Sequence, residues 1–293
     1  MAFDVDKKRK EYALTEEELR ENADSIFAEL ALTVRPTKNP TFVLVGGQAG
    51  AGKSGLVSRR NKELDGNAII IDQDELRTKY PAERYAKIHS EHTEREEFLI
   101  LNPYIAQIIQ EIIKRAKQGG YNIILESALQ DPKAFIDNAI DLRKHGYTTE
   151  MSVLSVPEVE GNISMLTRYC YYLEKDGECR RNTRLNPQAI PKMRANIGEL
   201  DKLGIFDDIN IYIRGDGVNS LPTKIYSKSQ SPSVSPVQAF DEGQKISLKR
   251  TMAEFPDKYE GIKATLVKFG EKEQLEKLEL IKTEFEKQKV RGE

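Results

Sequence analysis

The sequence predicts an α/β fold built on a parallel sheet with helices on both faces. Between residues 41 and 213, apolar runs typical of buried strands alternate with segments of helical periodicity. The runs are residues 41–45, 68–71, 122–126, 149–156 and 209–213. Strands separated by helices and short connections need crossover links, which make the strands parallel. Ligands of such sheets bind outside the carboxyl ends of the strands, so we expect the functional site there.

The predicted helices have recognisable beginnings and ends. Thr15 and Glu18 form a capping box that begins an N-terminal helix over residues 15–33, and a proline-containing segment ends it. Residues 98–117 carry apolar side chains at helical spacing and stop at a pair of glycines. Further helical segments are residues 131–146 and 157–203.

The C-terminal part of the chain differs in composition from the rest. Residues 227–236 are rich in Ser and Pro and predict a linker, and residues 272–290 predict a helix with one apolar face. We therefore divide the chain into a main domain, residues 1–226, and a mostly helical C-terminal tail, residues 227–293. A docked or solvated helix is the expected role of the tail, and a partner-binding helix is the alternative.

Composition excludes several function classes. The 293 residues carry a formal net charge of −2 and a pI of about 6.1, so no global basic field attracts nucleic acid. The sequence has neither an apolar stretch of membrane-spanning length nor a secretory signal, which predicts a cytoplasmic protein without a membrane partner. Cys170 and Cys179 are the only cysteines, and we interpret both as reduced thiols.

A glycine-rich segment after the first apolar run matches the phosphate-binding pattern G-x-x-x-x-G-K-[ST], the P-loop. It consists of Gly47, Gln48, Ala49, Gly50, Ala51, Gly52, Lys53 and Ser54. Backbone N–H groups in such a turn point inward and, with the positive end of the next helix, cradle phosphate oxygens. Lys53 is expected to reach the β/γ-phosphates of a nucleoside triphosphate, and Ser54 to hold Mg²⁺. The alternative is a glycine-rich turn that only joins a strand to a helix.

The motifs beyond the P-loop favour a small-molecule kinase over other P-loop proteins. A GTPase would carry an N-K-x-D element, and the best match to it, residues 61–65, is one residue too long. A motor ATPase normally ends an apolar strand in an acidic pair, and residues 124–126 match this only in part. A small-molecule kinase needs a P-loop, Mg²⁺, a carboxylate near the acceptor hydroxyl and arginines that neutralise the transferred phosphoryl group. This sequence has a candidate for each.

The candidate carboxylates follow predicted strands. Asp72 and Asp74 come directly after the second strand, and we assign Asp74 as the general base because it needs only hydrogen-bond reach to the acceptor hydroxyl. Asp72 is better placed to order the loop or to bind Mg²⁺ through water. A helix N-cap is the alternative for both. Glu126 ends its strand at the same edge, where a polar strand end without function is the alternative.

The candidate arginines lie in the predominantly helical segment. Arg168 stands off the apolar stripe of the helix over residues 158–175, so it can face the site. Arg180, Arg181 and Arg184 crowd a polar stretch typical of a lid that closes over phosphates. A merely solvated basic surface is the alternative for each of them.

Taken together, these motifs resemble the zeta toxin family of bacterial toxin–antitoxin systems. The resemblance is carried by residues 46–54, 69–74, 120–126, 155–157 and 167–169. It covers roughly residues 40–213 and implies a P-loop kinase-like fold. It further implies an ATP-dependent enzyme that phosphorylates a sugar hydroxyl of UDP-N-acetylglucosamine, a cell-wall precursor, and a small helical antitoxin partner that obstructs the nucleotide site.

The resemblance also implies residue roles. It places the phosphate-binding lysine on Lys53, the catalytic aspartate on Asp74 and the acceptor-binding glutamate on Glu126. The acceptor pocket departs from the family pattern, with Gln110 where a glutamate is frequent and Ala128 where a threonine is frequent. An uncharged amide cannot accept two hydroxyl hydrogen bonds as a carboxylate can, so the departures leave the exact UDP-sugar open.

Two phosphate-binding arginines are implied as well. The first falls on Arg168. The second falls on Arg184, in the context Arg-Leu-Asn-Pro, although spacing from Arg168 favours Arg181. Two functions stay open beside the implied one: a kinase for another small molecule, such as an antibiotic or a nucleotide, and a nucleotide-gated binding module without phosphotransfer.

Overall fold

The predicted α/β architecture is confirmed in a computed structural model, which describes residues 3–179, 183–215 and 220–292. Within these residues the sheet has six strands in the order β2-β3-β1-β4-β5-β6. The strands are β1 Thr41–Gly46, β2 Ala68–Ile71, β3 Asn122–Ser127, β4 Thr148–Leu154, β5 Asp208–Ile213 and β6 Thr223–Ser227. The first five are parallel and β6 is antiparallel to β5. The sequence prediction lacks β6, whose polar and apolar side chains do not alternate regularly.

Helices connect the strands and cover both faces of the sheet. They are α1 Val5–Glu11, α2 Glu16–Leu30, α3 Lys53–Glu63, α4 Gln73–Thr78, α5 Ala82–Glu91, α6 Glu94–Gly119, α7 Lys133–Lys144, α8 Glu158–Asp176, α9 Ala189–Leu203, α10 Pro236–Phe269 and α11 Lys272–Gly292. The predicted capping box at Thr15 begins α2. A second capping box, Thr93 with Glu96, begins α6 earlier than the predicted start at residue 98.

The alternating side chains of β1 show how the two faces are filled. Phe42 and Leu44 lie in a large hydrophobic cluster with side chains from α2, α6, α7 and α9. Val43 and Val45 point to the opposite face and pack with Leu56 of α3. This alternation follows from the two-residue period of a strand. A strand buried on both faces therefore leads directly into the P-loop.

The C-terminal helices pack against the rest of the protein. Phe240 of α10 is fully buried, and its carbonyl oxygen accepts a hydrogen bond of 2.6 Å from Ser155 Oγ at the end of β4. The rings of Phe255 in α10 and Phe285 in α11 stack at 4.0 Å inside a cluster that also contains the apolar stripe of α8. Helix α11 is thus a docked helix.

The predicted linker, residues 227–236, begins at the last residue of β6 and ends at the first residue of α10. Ser235 caps α10 through a capping box with Gln238, so the end of this segment has a defined local structure. The division of the chain at residues 226 and 227 stays a prediction. Among the described residues, no helix combines the length and the apolar character that crossing a membrane requires.

Candidate active site

The P-loop joins the carboxyl end of β1 to the first turn of α3. Gly50 and Gly52 have positive φ angles of 72° and 92°, which favour glycine. A side chain at Gly50 would also clash with the carbonyl oxygen of Gly161 in α8. Ser54 is exposed in the first turn of α3, where its hydroxyl is accessible to a ligand. The loop therefore has the backbone that a phosphate cradle requires.

The remaining P-loop residues tie the loop to the sheet and to α8. The Gly47 N–H donates to Ser127 O of β3 at 3.3 Å. The side chain of Gln48 is buried and donates to the carbonyl oxygens of Val156 and Pro157 at 3.1 Å each. Gln48 can thus contribute to nucleotide binding through its backbone, while its side chain holds the loop. Ala49 is exposed and Ala51 is buried.

Lys53 and Glu126 meet at the carboxyl edge of the sheet. Strand β3 lies beside β1, and Glu126 stands opposite Val45 in the strand register. Lys53 Nζ lies 3.8 Å from Glu126 Oε1 and donates to Gln48 O at 3.2 Å. The two side chains are 15% and 16% exposed, so a low-dielectric environment strengthens their interaction. The structure thereby places the acceptor candidate beside the phosphate-binding candidate.

Burial and charge act in opposite directions on these two groups. Burial lowers the pKa of Lys53 below its ordinary value, and the negative charges of Glu126 and Asp74 oppose that shift. Burial raises the pKa of Glu126, and the Lys53 charge opposes that rise. The charge of Arg168 also acts on both groups, lowering both pKa values. The predicted residues from four separate segments therefore share one electrostatic site.

Asp72 and Asp74 differ in role. Asp72 Oδ1 accepts hydrogen bonds from the N–H groups of Asp74 and Glu75 at 2.8 and 3.5 Å, so Asp72 is the N-cap of α4. Asp74 is 72% exposed, and its Oδ1 accepts a hydrogen bond of 2.6 Å from Arg77 Nη1. The Asp74 carboxylate is therefore accessible to an acceptor at the edge of the site.

Arg77 is a site residue that the sequence reasoning missed. Its guanidinium lies over the ring of Phe98 in α6, 4.6 Å from the centroid, while it holds Asp74. The Asp-x-x-Arg spacing on a helix that follows a strand could have identified it, because residues i and i+3 are neighbours on a helix surface. Arg77 connects the position of Asp74 to α6.

The two arginine candidates are exposed on different segments. Arg168 lies on α8, and Arg184 lies in the segment between α8 and α9. The neighbouring Thr183 is buried, and its hydroxyl donates to Gln274 Oε1 at 2.8 Å, which anchors this segment to α11. Arg180 and Arg181 lie outside the described residues, so the choice between Arg181 and Arg184 stays as the sequence left it.

Gln110 and Ala128 were predicted for the acceptor pocket. Ala128 is exposed directly after β3, and its carbonyl oxygen accepts a hydrogen bond of 3.1 Å from Gln130 Nε2. Gln110 is exposed on α6, nine residues before Gly119, which is about 14 Å along the helix axis. In the described part of the chain, no hydrogen bond joins Gln110 to Lys53 or Glu126. Its role in acceptor binding stays a prediction.

Comparisons with known proteins agree with this fold and motif set. A protein-family model described as "Zeta toxin" matches residues 23–228. "Toxin zeta" of Enterococcus hirae is 32% identical over 228 residues, 77% of this chain and 75% of the relative. "Toxin PezT" of Streptococcus pneumoniae serotype 4 is 25% identical over 182 residues, 61% of this chain and 71% of the relative.

The fold is similar to a solved structure as well. A chain from the characterisation of the PezAT chromosomal toxin–antitoxin system of Streptococcus pneumoniae superimposes with a TM-score of 0.72 at 19% identity, covering 91% of this chain and 100% of that one. That identity supports the fold alone. The family match spans the P-loop, the carboxylates and both arginine candidates. The chain therefore belongs to the zeta toxin family of P-loop kinases.

Proposed function

We propose that this protein is the toxin of a toxin–antitoxin system and that it transfers the γ-phosphoryl group of ATP to a sugar hydroxyl of UDP-N-acetylglucosamine or a related UDP-amino sugar. The observation that carries the proposal is the approach of Lys53 Nζ to Glu126 Oε1, 3.8 Å, beside Asp74. The candidate phosphate-binding cation and two candidate acceptor-binding carboxylates share one edge of the sheet. Phosphorylated precursor would no longer serve cell-wall synthesis.

The chain's own residues supply positioning and charge for this transfer. The P-loop N–H groups and Lys53 would bind the phosphate chain. The acceptor hydroxyl oxygen forms a bond to the γ-phosphorus, the bond from that phosphorus to the β–γ bridging oxygen breaks, and ADP leaves. Asp74 takes the proton of the acceptor hydroxyl. This transfer requires a carboxylate oxygen within hydrogen-bond distance and in the right orientation more than a strongly shifted pKa. Arg168 and Arg184 would neutralise the charge on the transferred group.

The residues present also fit a magnesium ion that arrives with the nucleotide. Mg²⁺ prefers oxygen ligands and keeps several waters, so it is usually held by one or two protein groups together with substrate phosphates. The exposed hydroxyl of Ser54, in the first turn of α3, is such a group. The ion would supply charge neutralisation for the phosphate chain.

Glu126 would hold the acceptor sugar. An ionised carboxylate accepts several hydrogen bonds, so it can bind two neighbouring hydroxyls of a sugar ring. Gln110 and Ala128 would complete the pocket. The amide at residue 110 offers a donor that a glutamate lacks, which favours an acceptor with a carbonyl or carboxylate oxygen at that position.

We further propose that a small helical antitoxin covers the nucleotide site of this protein. The support is family membership and the likeness to a chain from the PezAT toxin–antitoxin system. A P-loop must stay open to solvent to admit ATP, so a helix docked against it would block the nucleotide site. Binding of that kind would exclude ATP by occupancy.

Mass spectrometry of metabolites tests the function. The purified full chain is incubated with ATP, Mg²⁺ and a panel of UDP-sugars, nucleotides and aminoglycosides. We expect one added phosphate on UDP-N-acetylglucosamine or a related UDP-amino sugar, and none with Lys53→Ala, because that variant lacks the charge aimed at the β/γ-phosphates. Phosphate on another metabolite would identify a different small-molecule kinase. ATP binding without any transfer would support a binding module instead.

Growth of bacteria expressing the chain separates catalysis from binding. Wild-type protein without an antitoxin should slow growth, and Lys53→Ala should not, since the harm is proposed to come from turnover. Equal toxicity of the two proteins at equal expression would contradict the proposal.

A further inference from the structure

An arginine outside every predicted motif lies against the P-loop. Arg214 follows the last residue of β5, and its guanidinium reaches Gly52, the N-cap of α3. Nε and Nη2 of Arg214 lie 3.1 and 3.4 Å from the position that a side chain at Gly52 would occupy. The Arg214 side chain is 28% exposed, so solvent and solutes have access to it.

Helices α8 and α10 hold Arg214 in this position. Its Nη1 donates to Ser164 Oγ at 2.7 Å and to Glu160 Oε1 at 3.2 Å, both on α8. Arg250 of α10 donates to the carbonyl oxygens of Arg214 and Gly215 at 3.0 and 3.3 Å. Both the backbone and one end of the guanidinium are therefore fixed.

The two hydrogen bonds that the Arg214 side chain makes within the described residues use only Nη1 and leave Nε and Nη2 available to a ligand. Among residues 3–179, 183–215 and 220–292, Nε and Nη2 have no hydrogen-bond partner, whereas Nη1 has two. These two nitrogens form one edge of the planar guanidinium, and that edge suits bidentate binding of a phosphate. The edge faces Gly52, where the N–H groups of a P-loop meet the α- and β-phosphates.

A purely structural role explains Arg214 less well. Its partner Glu160 is 3% exposed and needs compensation, since a buried carboxylate without partners is costly. Glu160 already accepts hydrogen bonds of 2.9 Å from Arg250 Nη2 and from Thr251 Oγ1. Compensation of Glu160 therefore does not require Arg214.

We propose that Arg214 is a nucleotide-binding residue that contacts the α- and β-phosphates from the side of Gly52. This inference rests on the proposed function, because it adds a ligand contact to the same nucleotide site. Lys53 would neutralise the β/γ end of the phosphate chain, and Arg214 the α/β end. The phosphate chain would then have two cations beside the P-loop, Arg214 after β5 and Lys53 at the start of α3.

Chemical protection of the wild-type protein provides the first test. Phenylglyoxal modifies accessible arginines, and peptide mass spectrometry reports the modified fraction of Arg214. We expect ATP, ADP and inorganic tripolyphosphate each to protect Arg214, since all three present consecutive phosphates. Adenosine should not protect it. Protection by adenosine but not by tripolyphosphate would replace the proposal with a base contact, and equal modification with and without ATP would overturn it.

Binding measurements on variants provide the second test. In Arg214→Ala, dissociation constants of ATP and tripolyphosphate should rise together by about tenfold to a hundredfold, the loss typical of a charge-assisted contact. Arg214→Lys should recover part of this loss because it keeps the charge without the fork. At saturating ATP, the KM of Arg214→Ala for the UDP-sugar should stay within about twofold of the wild-type value. A distorted site would change both this KM and the dissociation constant of ATP.

Arg143→Ala is the matched control. Arg143 Nη1 donates to Gly204 O at 2.7 Å, and its Nη2 lies 3.0 Å from Asp207 Oδ1, beside the start of β5 and far from the P-loop. Nucleotide affinity should not change in this variant. If wild-type protein binds ATP and transfers phosphate while Arg214→Ala binds ATP equally well, only the assignment of Arg214 fails. If the wild-type protein binds neither ATP nor tripolyphosphate, the proposed function fails with it.

Discussion

Glu126 is a partly buried carboxylate whose charged form is favoured by Lys53 and opposed by desolvation. Burial is the larger influence and raises the pKa of Glu126 above its ordinary value. Removing one member of such a pair leaves the other charge buried and uncompensated. The pair is therefore suited to a site that a charged ligand completes. ATP phosphates would bind Lys53 and free Glu126 for the acceptor.

The raised pKa of Glu126 predicts a pH dependence. In the proposed role, only the carboxylate form of Glu126 would bind the sugar hydroxyls. The kcat/KM for the UDP-sugar should therefore fall as pH decreases through the raised pKa, at a higher pH than an ordinary glutamate would give. Glu126→Gln should have a lower kcat/KM without this decrease, because its amide does not titrate. Steady-state rates between pH 4.5 and 8 at saturating ATP provide the measurement. An unchanged acidic decrease in Glu126→Gln would assign it to another group.

Substitution of Asp74 tests the general base. Asp74→Asn preserves the shape of the side chain but cannot take a proton, so kcat should fall by about 10²–10⁴-fold while ATP affinity stays unchanged. Asp72→Asn is the matched control. Asparagine is as good an N-cap as aspartate, so α4 should form and kcat should fall much less. A loss of only about tenfold in Asp74→Asn would move the assignment to Glu126.

At the scale of elements, the close approach of α10 to β4 stands out. The Cβ of a side chain at Gly243 in α10 would lie 2.7 Å from Ser155 Oγ and 3.0 Å from Ile225 Cδ1. Ser155 Oγ also donates to Phe240 O, so the helix lies against the end of the strand without room for a side chain. The position of Arg250, two turns further along α10, depends on this contact.

A pair of glycine substitutions in α10 tests the packing. Gly243→Val should lower the free energy of unfolding by about 1–3 kcal/mol, because overpacking forces the helix away from β4. Gly261 lies in the same helix with nothing within 4 Å of an added Cβ. Gly261→Ala should therefore raise the free energy of unfolding by up to about 1 kcal/mol, as expected from helix propensity. Urea unfolding of both variants measures the difference, and equal effects of the two substitutions would exclude the packing contact.

At the scale of the whole molecule, the tail contributes to the same structure as the kinase core. Leu278, Ile281 and Phe285 of α11 are buried in a cluster with Leu166 and Leu173 of α8. Burial of each such side chain stabilises a protein by about 1.5–3 kcal/mol. The family match ends at residue 228, so α11 lies beyond the matched segment and packs on α8 within it.

Truncation tests whether the main domain folds alone. A chain ending at residue 227 loses α10 and α11, and the exposed apolar stripe of α8 should make it aggregate or melt far below the full chain. Removal of α11 alone, residues 272–293, should have an intermediate effect, because α10 still covers part of α8. Thermal unfolding and limited proteolysis report both effects. A chain ending at residue 227 that melts with the full protein would establish residues 1–226 as an independent domain.

Much of the fold and part of the site could be predicted from the sequence. The parallel strands, the P-loop and the cap of α2 depend on residues close together in the chain, so their patterns are visible without the fold. The sheet order and β6 were missing, because strand pairing is decided by packing between distant segments. Arg77 was missed although it is only three residues from Asp74 in the sequence. The functional relevance of that ion pair depends on the site around it, which the sequence does not show.

The sequence alone determined that Gly47 to Ser54 form a P-loop after a buried strand, because glycine spacing and apolar patterning act locally. Only the tertiary structure decided which side chains surround that loop. The order β3-β1-β4-β5 brings Glu126 to Lys53 and Arg214 to Gly52 from segments more than seventy residues away. These contacts form because of how burial and charge are balanced across the whole sheet. That balance cannot be read from any single stretch of sequence.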